Sequence, residues 1–201
     1  AYQDAVFSRG NKFELGHAET LQQQASDSGG SIHFVNLEGV ESLETLRRLR
    51  KVAHEVAAGY IEVAHIFHAK FAPPPAHAAV LSNLEVDFLR IERTNGATAA
   101  SITVVDTKAS SHMKLSHQMQ IAVYARALSL LLEDDDLVYV APHGEVAHLV
   151  MTTTTTVRFA LAPLDGLLDE MLDRTAPKLQ LVATKARSSG RDRAANLDVD
   201  A

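Results

Sequence analysis

The 201-residue chain contains no cysteine. That excludes disulfides, thiolate zinc sites and cysteine-held iron–sulfur clusters, and it suits a reducing cytosol. Long apolar runs are missing too. Nothing approaches the roughly 18 residues of a membrane span, and the opening AYQDAVFSRG has no signal-peptide core. Membrane partners are therefore not expected, and a cytoplasmic placement is. Positive charge is not in excess either: the formal net charge is −6, which argues against a cationic coat for non-specific nucleic-acid binding. It leaves nucleic-acid enzymes open, because a cluster of metal-binding carboxylates is itself negative. Ten histidines mean that the net negative charge falls on mild acidification.

What is present suits one domain with a sizeable core. The hydrophobic content is 46% and the charged content 22%, inside the globular range. Residues 1–183 are expected to form the domain, and 184–201, small and polar, a disordered tail. A first residue of Ala rather than Met is expected of a fragment or a processed chain.

Residues 9–26 read as a helix opened by Gly10 and Asn11, and SIHFVNL (31–37) as a short strand. ESLETLRRLRKVAHEVAAG (41–59) carries Leu43, Leu46, Leu49, Val52 and Ala53 at helical spacing. A strand over 60–71 ends at Pro73-Pro74-Pro75. LEVDFLRIE (84–92) and ASITVVDTK (100–108) flank an Asn95-Gly96 hairpin signal. Helix is predicted over 114–132, strand over 136–142, one long Thr-rich strand over 146–161, and a late helix over 164–174. The fold class expected is α/β: a mixed central sheet flanked by helices.

The chemistry lies in VVDTK (104–108). Strand side chains alternate, so Asp106 and Lys108 share a face with Val104. A hairpin centred between Gly96 and Ala97 puts Asp87 opposite Asp106. One centred on Asn95-Gly96 puts it opposite Val104, a diagonal neighbour. Either way two carboxylates converge, and like charges that close repel unless a cation lies between them. Hard oxygen ligands with open positions suit Mg²⁺ or Mn²⁺, and Lys108 is placed to hold a metal-activated water. From these three residues alone, an exposed ion pair on an edge strand is the simpler reading.

Four motifs in order change that balance. RGNKFE near the start, Asp87 in EVDFL, VVDTK, and Gln120 with Tyr124 in QIAVY together resemble the PD-(D/E)XK nuclease superfamily, in its RecB-like branch. They span residues 9 to about 128. The resemblance implies a restriction-endonuclease-like core and Mg²⁺- or Mn²⁺-dependent hydrolysis of DNA. Glu14, Asp87 and Asp106 would hold the metal, with the Thr107 carbonyl as a further ligand. Lys108 would serve the attacking water, and Gln120 and Tyr124, one helical turn apart, would face the substrate or Lys108. Partner proteins in DNA repair or defence systems are candidates on the same ground. Two departures stand out. Glu85 and Val86 precede the hairpin acid where the family often has a small residue, and without cysteine there is no iron–sulfur cluster.

Other features carry less. His65 and His68, three apart on a strand, should point to opposite faces and not chelate together. His112 and His117 lie near VVDTK, where the simpler reading is polar histidines at a loop and a helix start. RRLRK (47–51) reads as the solvated face of an amphipathic helix. Two function classes remain: a metal-dependent nuclease, and a catalytically silent module of the same fold that binds nucleic acid or scaffolds an assembly.

Overall fold

Runs rich in Val, Ile and Phe between turn signals form the strands, because branched and aromatic side chains pack well on a pleated surface. The computed structural model describes residues 2–78, 81–94, 98–110, 112–150 and 153–175. The predicted Asn95-Gly96 turn and the predicted tail lie outside them. Within them are β1 (Ile32–Asn36), β2 (Val63–Phe71), β3 (Leu84–Arg93), β4 (Ala100–Lys108), β5 (Val138–Val140), β6 (His143–Val150) and β7 (Thr153–Ala160). They form a seven-stranded sheet in the order β1-β2-β3-β4-β6-β7, with β5 on the same edge of β4 as β6. β2, β3 and β4 run antiparallel in turn, whereas β1–β2, β4–β5 and β4–β6 are parallel. The fold is mixed α/β, as the sequence pattern predicts.

Helices cover both faces. On one, Ala18 and Leu21 of α1 (Tyr2–Asp27) pack on Phe67, Phe88 and Val105. On the other, α2 (Ser42–Ala57) and α3 (Leu115–Leu131) bring Leu49, Val52, Val56, Ile121 and Leu128 onto Ile66, Leu89, Ile102 and Val104. Val104 and Val105 belong to different layers because successive strand side chains alternate. α3 lies close to the sheet at Gly144, where a Cβ would collide with Ile121 Cγ2 and press on Phe159 Cζ. Among the described residues no helix is long and apolar enough to cross a membrane.

Several boundaries differ from expectation. α1 runs through Gly10 and Asn11 rather than starting there, since one interior Gly costs only about 1 kcal/mol in an otherwise competent helix. The 146–161 segment is two antiparallel strands, β6 and β7, in register from His143↔Ala160 to Val150↔Thr153. Sixteen residues are too many for an average strand, and the Thr run favours extended structure on either side of a reversal. β2 begins at Val63, after a turn in which Gly59 has φ +80°. Leu43 is 83% exposed while Thr45 takes its place inside. The late helix is a 3₁₀ turn (Ala162–Leu164), one α turn, α4 (Asp165–Leu168), and wider π-helical turns over Asp169–Thr175.

Candidate active site

β3 and β4 part company at the candidate site. Their ladder runs from Arg93↔Ala100 to Phe88↔Val105 and stops. Carried one pair further, this register sets Asp87 level with Asp106, the first of the two alternatives from the sequence. Beyond Val105, β4 is paired only with β6, from Val105↔Glu145 to Lys108↔His148. The vacated edge is closed by a side chain: Asp87 Oδ2 accepts the Thr107 N–H and the Thr107 hydroxyl, each at 3.0 Å. A backbone donor at the end of a ladder needs a partner, and here that partner is a carboxylate.

Asp106 is 2% exposed. Its Oδ1 accepts Lys108 Nζ at 2.7 Å, while its Oδ2 is buried without a partner. Burial, and then the charge of Asp87, push the Asp106 carboxyl up to about 7, against the opposing charge of Lys108. An orphaned, desolvated oxygen beside a second carboxylate suits a hard divalent cation, which would relieve both penalties.

Glu14 approaches Asp87 from α1 and lines the same cleft. His17 stands edge-on to Phe88 at 5.1 Å between ring centres, which seats the helix over β3. Glu14, nearly one turn earlier, then comes under the field of Asp87. Burial first and Asp87 second raise its carboxyl above the usual range. From α3, Gln120 Nε2 donates to Tyr124 Oη at 3.2 Å. Burial chiefly, with Asp87 and Asp106 adding, raises the Tyr124 hydroxyl. Glu14, Asp87, Asp106, Lys108 and Tyr124 therefore share one electrostatic neighbourhood. Thr107 enters it through its N–H and hydroxyl.

Each carboxylate is also held by a protein group: Asp106 by Lys108, Asp87 by Thr107, Glu14 by His68. Among the described residues, no three His, Asp or Glu side chains are gathered into a ready-made cation cage.

His68 is the residue that strand alternation misplaced. It has φ +53°, the left-handed region that a His rarely occupies. It drops out of the β2–β3 ladder, although Phe67↔Phe88 and Ala69↔Val86 keep the register on either side. Its ring lies on that of Phe67, 3.8 Å between centres, and Nε2–H donates to Glu14 Oε1 at 2.6 Å. Phe67 packs in the α1 layer and Ala69 in the main core, which two residues of one regular strand face would not do. For His65, burial and then Arg90 lower the ring to about 4. The turned backbone brings His68 to the α1 side, where His65 also feels His17, so the two do not point to opposite faces as strand alternation predicts.

His148 was not singled out by the sequence pattern either. Beside Lys108 in the ladder and 2% exposed, it donates Nδ1–H to the Ser110 carbonyl at 2.8 Å and anchors the loop after VVDTK. His117 accepts the Lys114 N–H on Nδ1 at 3.3 Å, a helix-start role. RRLRK is a solvated face only in part: Arg47 and Arg48 share Glu44 and Leu49 is buried, but Arg50 turns in to donate to the Leu131 carbonyl at 2.9 Å.

No protein-family model matches the chain, and no curated protein sequence matches it. Among solved structures it is similar to the crystal structure of SSO0001, at 10% identity and a TM-score of 0.30. The match covers 67% of this chain and spans 59% of that protein's length.

Proposed function

We propose that this chain is a nuclease of the PD-(D/E)XK type that hydrolyses DNA phosphodiester bonds with Mg²⁺ or Mn²⁺. One observation carries the reading. Where β3 and β4 separate, the strand register sets Asp87 level with Asp106, Lys108 is bonded to Asp106, and Glu14 lines the same cleft as Asp87 and Lys108.

A bound cation would supply Lewis acidity, to polarise the phosphate and make a water more acidic. Asp106, through its orphaned Oδ2, and Asp87 and Glu14 would hold it, with the Thr107 carbonyl as a further donor. Asp106 would hold a cation as its carboxylate, so the raised carboxyl makes cation binding favour higher pH. Lys108, tethered at 2.7 Å to Asp106 Oδ1, is kept beside the ligand set, where it can hydrogen-bond the attacking water or meet charge on the phosphate. Tyr124, whose hydroxyl accepts Gln120 Nε2 on α3, would act on the substrate from that helix. Burial on β4 limits water around these groups and strengthens their interactions.

The test is incubation of labelled single-stranded DNA, duplex DNA and RNA with Mg²⁺, Mn²⁺ or EDTA. Cleavage of DNA that needs the cation supports the reading. Cation-dependent cleavage of RNA alone would transfer it to another substrate.

A further inference from the structure

The Thr-rich strand β7 is an edge of the sheet, and among the described residues it pairs only with β6. A strand edge turns alternate N–H and C=O groups outward, and proteins commonly blunt it with brevity, Lys, Pro or a bulge. β7 uses none of these. It is eight residues long, TTTTVRFA, and its ladder with β6 runs unbroken from His143↔Ala160 to Val150↔Thr153. Its one ionic side chain, Arg158, is held by Glu145 at 2.8 Å. The opposite edge, β1, has only five residues. Thr154 to Arg158 are all exposed, so neither face of the strand is covered there.

One face of this edge is apolar. Val157 is 36% exposed and shares a face with Phe159. Phe159 packs against Leu164 and Leu168 of the helical segment that follows, which leaves its own Leu167 and Met171 exposed. Val157, Leu167 and Met171 therefore lie on one side of the sheet.

We propose that β7 pairs antiparallel with β7 of a second copy of this chain, joining the two sheets across a two-fold axis. Such a contact requires a self-complementary strand. An axis perpendicular to the sheet keeps every side chain on its own face, so one residue meets itself and the rest pair symmetrically about it. With Val157 at the axis, the exposed valine packs on its counterpart, Phe159 faces Thr155, and Arg158 faces Thr156. These are β-branched pairs, a β-branched–aromatic pair and a guanidinium beside a hydroxyl, with no like charges directly opposite. Centring on Thr156 would set Val157 against the hydroxyl of Thr155 instead. The pairing is independent of the nuclease reading.

The test is analytical ultracentrifugation of the full chain over a dilution series, for the wild type, Val157→Lys and Val157→Glu. Val157 is exposed, so both variants should keep the wild-type circular dichroism spectrum. The wild type should sediment as a dimer. Each variant sets like charges opposite each other at the axis, and should raise the dimer dissociation constant at least about fivefold. An equimolar mixture of the two variants sets an ammonium opposite a carboxylate and should recover the dimer. A wild type of single-chain mass overturns the proposal and leaves the edge to a different protein or to solvent. A dimer indifferent to both substitutions, or a mixture that stays monomeric, overturns it as well.

Discussion

Asp87 Oδ2 sits 3.0 Å from the Thr107 backbone nitrogen, in the place where a β3 carbonyl would otherwise continue the ladder. One carboxylate thus closes the sheet and faces the candidate cation site. The two roles separate by substitution. Asp87→Asn keeps an acceptor oxygen for Thr107 and should fold normally while losing activity. Asp87→Ala leaves a part-buried donor unpaired and should also lose about 1–3 kcal/mol of stability in urea unfolding. Equal stability of the two variants would show that the Thr107 contact is not structural.

The Asp106 carboxyl sets a pH dependence. Its value is raised from 3.8 to about 7, first by burial and then by Asp87. A carboxyl raised in the folded state stabilises the fold when protonated. That contribution is complete below about pH 4 and is lost as pH rises through about 7. In EDTA, the Tm of the wild type should therefore fall between about pH 5 and 8, and Asp106→Asn should fall less over the same window. Identical pH profiles would mean that Asp106 titrates normally.

His68 is expected to position Glu14. His68→Ala loses the ring and keeps a Cβ at φ +53°, whereas His68→Gly loses the ring and relieves the backbone. Both should raise the Mn²⁺ concentration needed for half-maximal cleavage, by about 10- to 100-fold if the contact acts as an outer-shell support. Only His68→Ala should also unfold at lower temperature than the Gly variant. Unchanged metal dependence in both would make the Glu14 contact incidental.

Gly144 controls how closely α3 approaches the sheet. Gly144→Ala should lower stability by about 1–3 kcal/mol through overpacking against Ile121 and Phe159. It should also reduce cleavage, because Gln120 and Tyr124 ride on the displaced helix. A fully stable, fully active variant would show that the contact yields freely.

Much of this was legible in the sequence, for a physical reason. Strand alternation alone places Asp106 and Lys108 on one face, and hairpin symmetry narrows Asp87 to a position opposite Asp106 or opposite Val104, between which the strand register chooses the first. The uninterrupted 114–132 segment likewise yields α3 within a residue at each end. His68 was hidden because its partner, Glu14, lies 54 residues away, and nothing in FHAK signals a positive φ. The β6–β7 reversal was hidden because no Gly, Pro or Asn punctuates VMTTTTT, and β-propensity is equally high on both sides. Leu43 followed helical spacing, yet it lies in the first turn of α2, where Thr45 is turned inward instead.

The central claim is that Asp106 and Lys108 work a bound cation on a phosphodiester. Its most direct measurement is cleavage of labelled linear DNA by the wild type, Asp106→Asn and Lys108→Ala, each with Mn²⁺ and with EDTA. The wild type should cut only with the cation. Both variants should fold and lose activity, Lys108→Ala by about 10²- to 10⁴-fold as expected for a group serving the attacking water. Cleavage that persists in EDTA, a Lys108→Ala protein as active as the wild type, or a wild type that cuts no nucleic acid with either metal would contradict the account. The last result would leave a silent module of this fold.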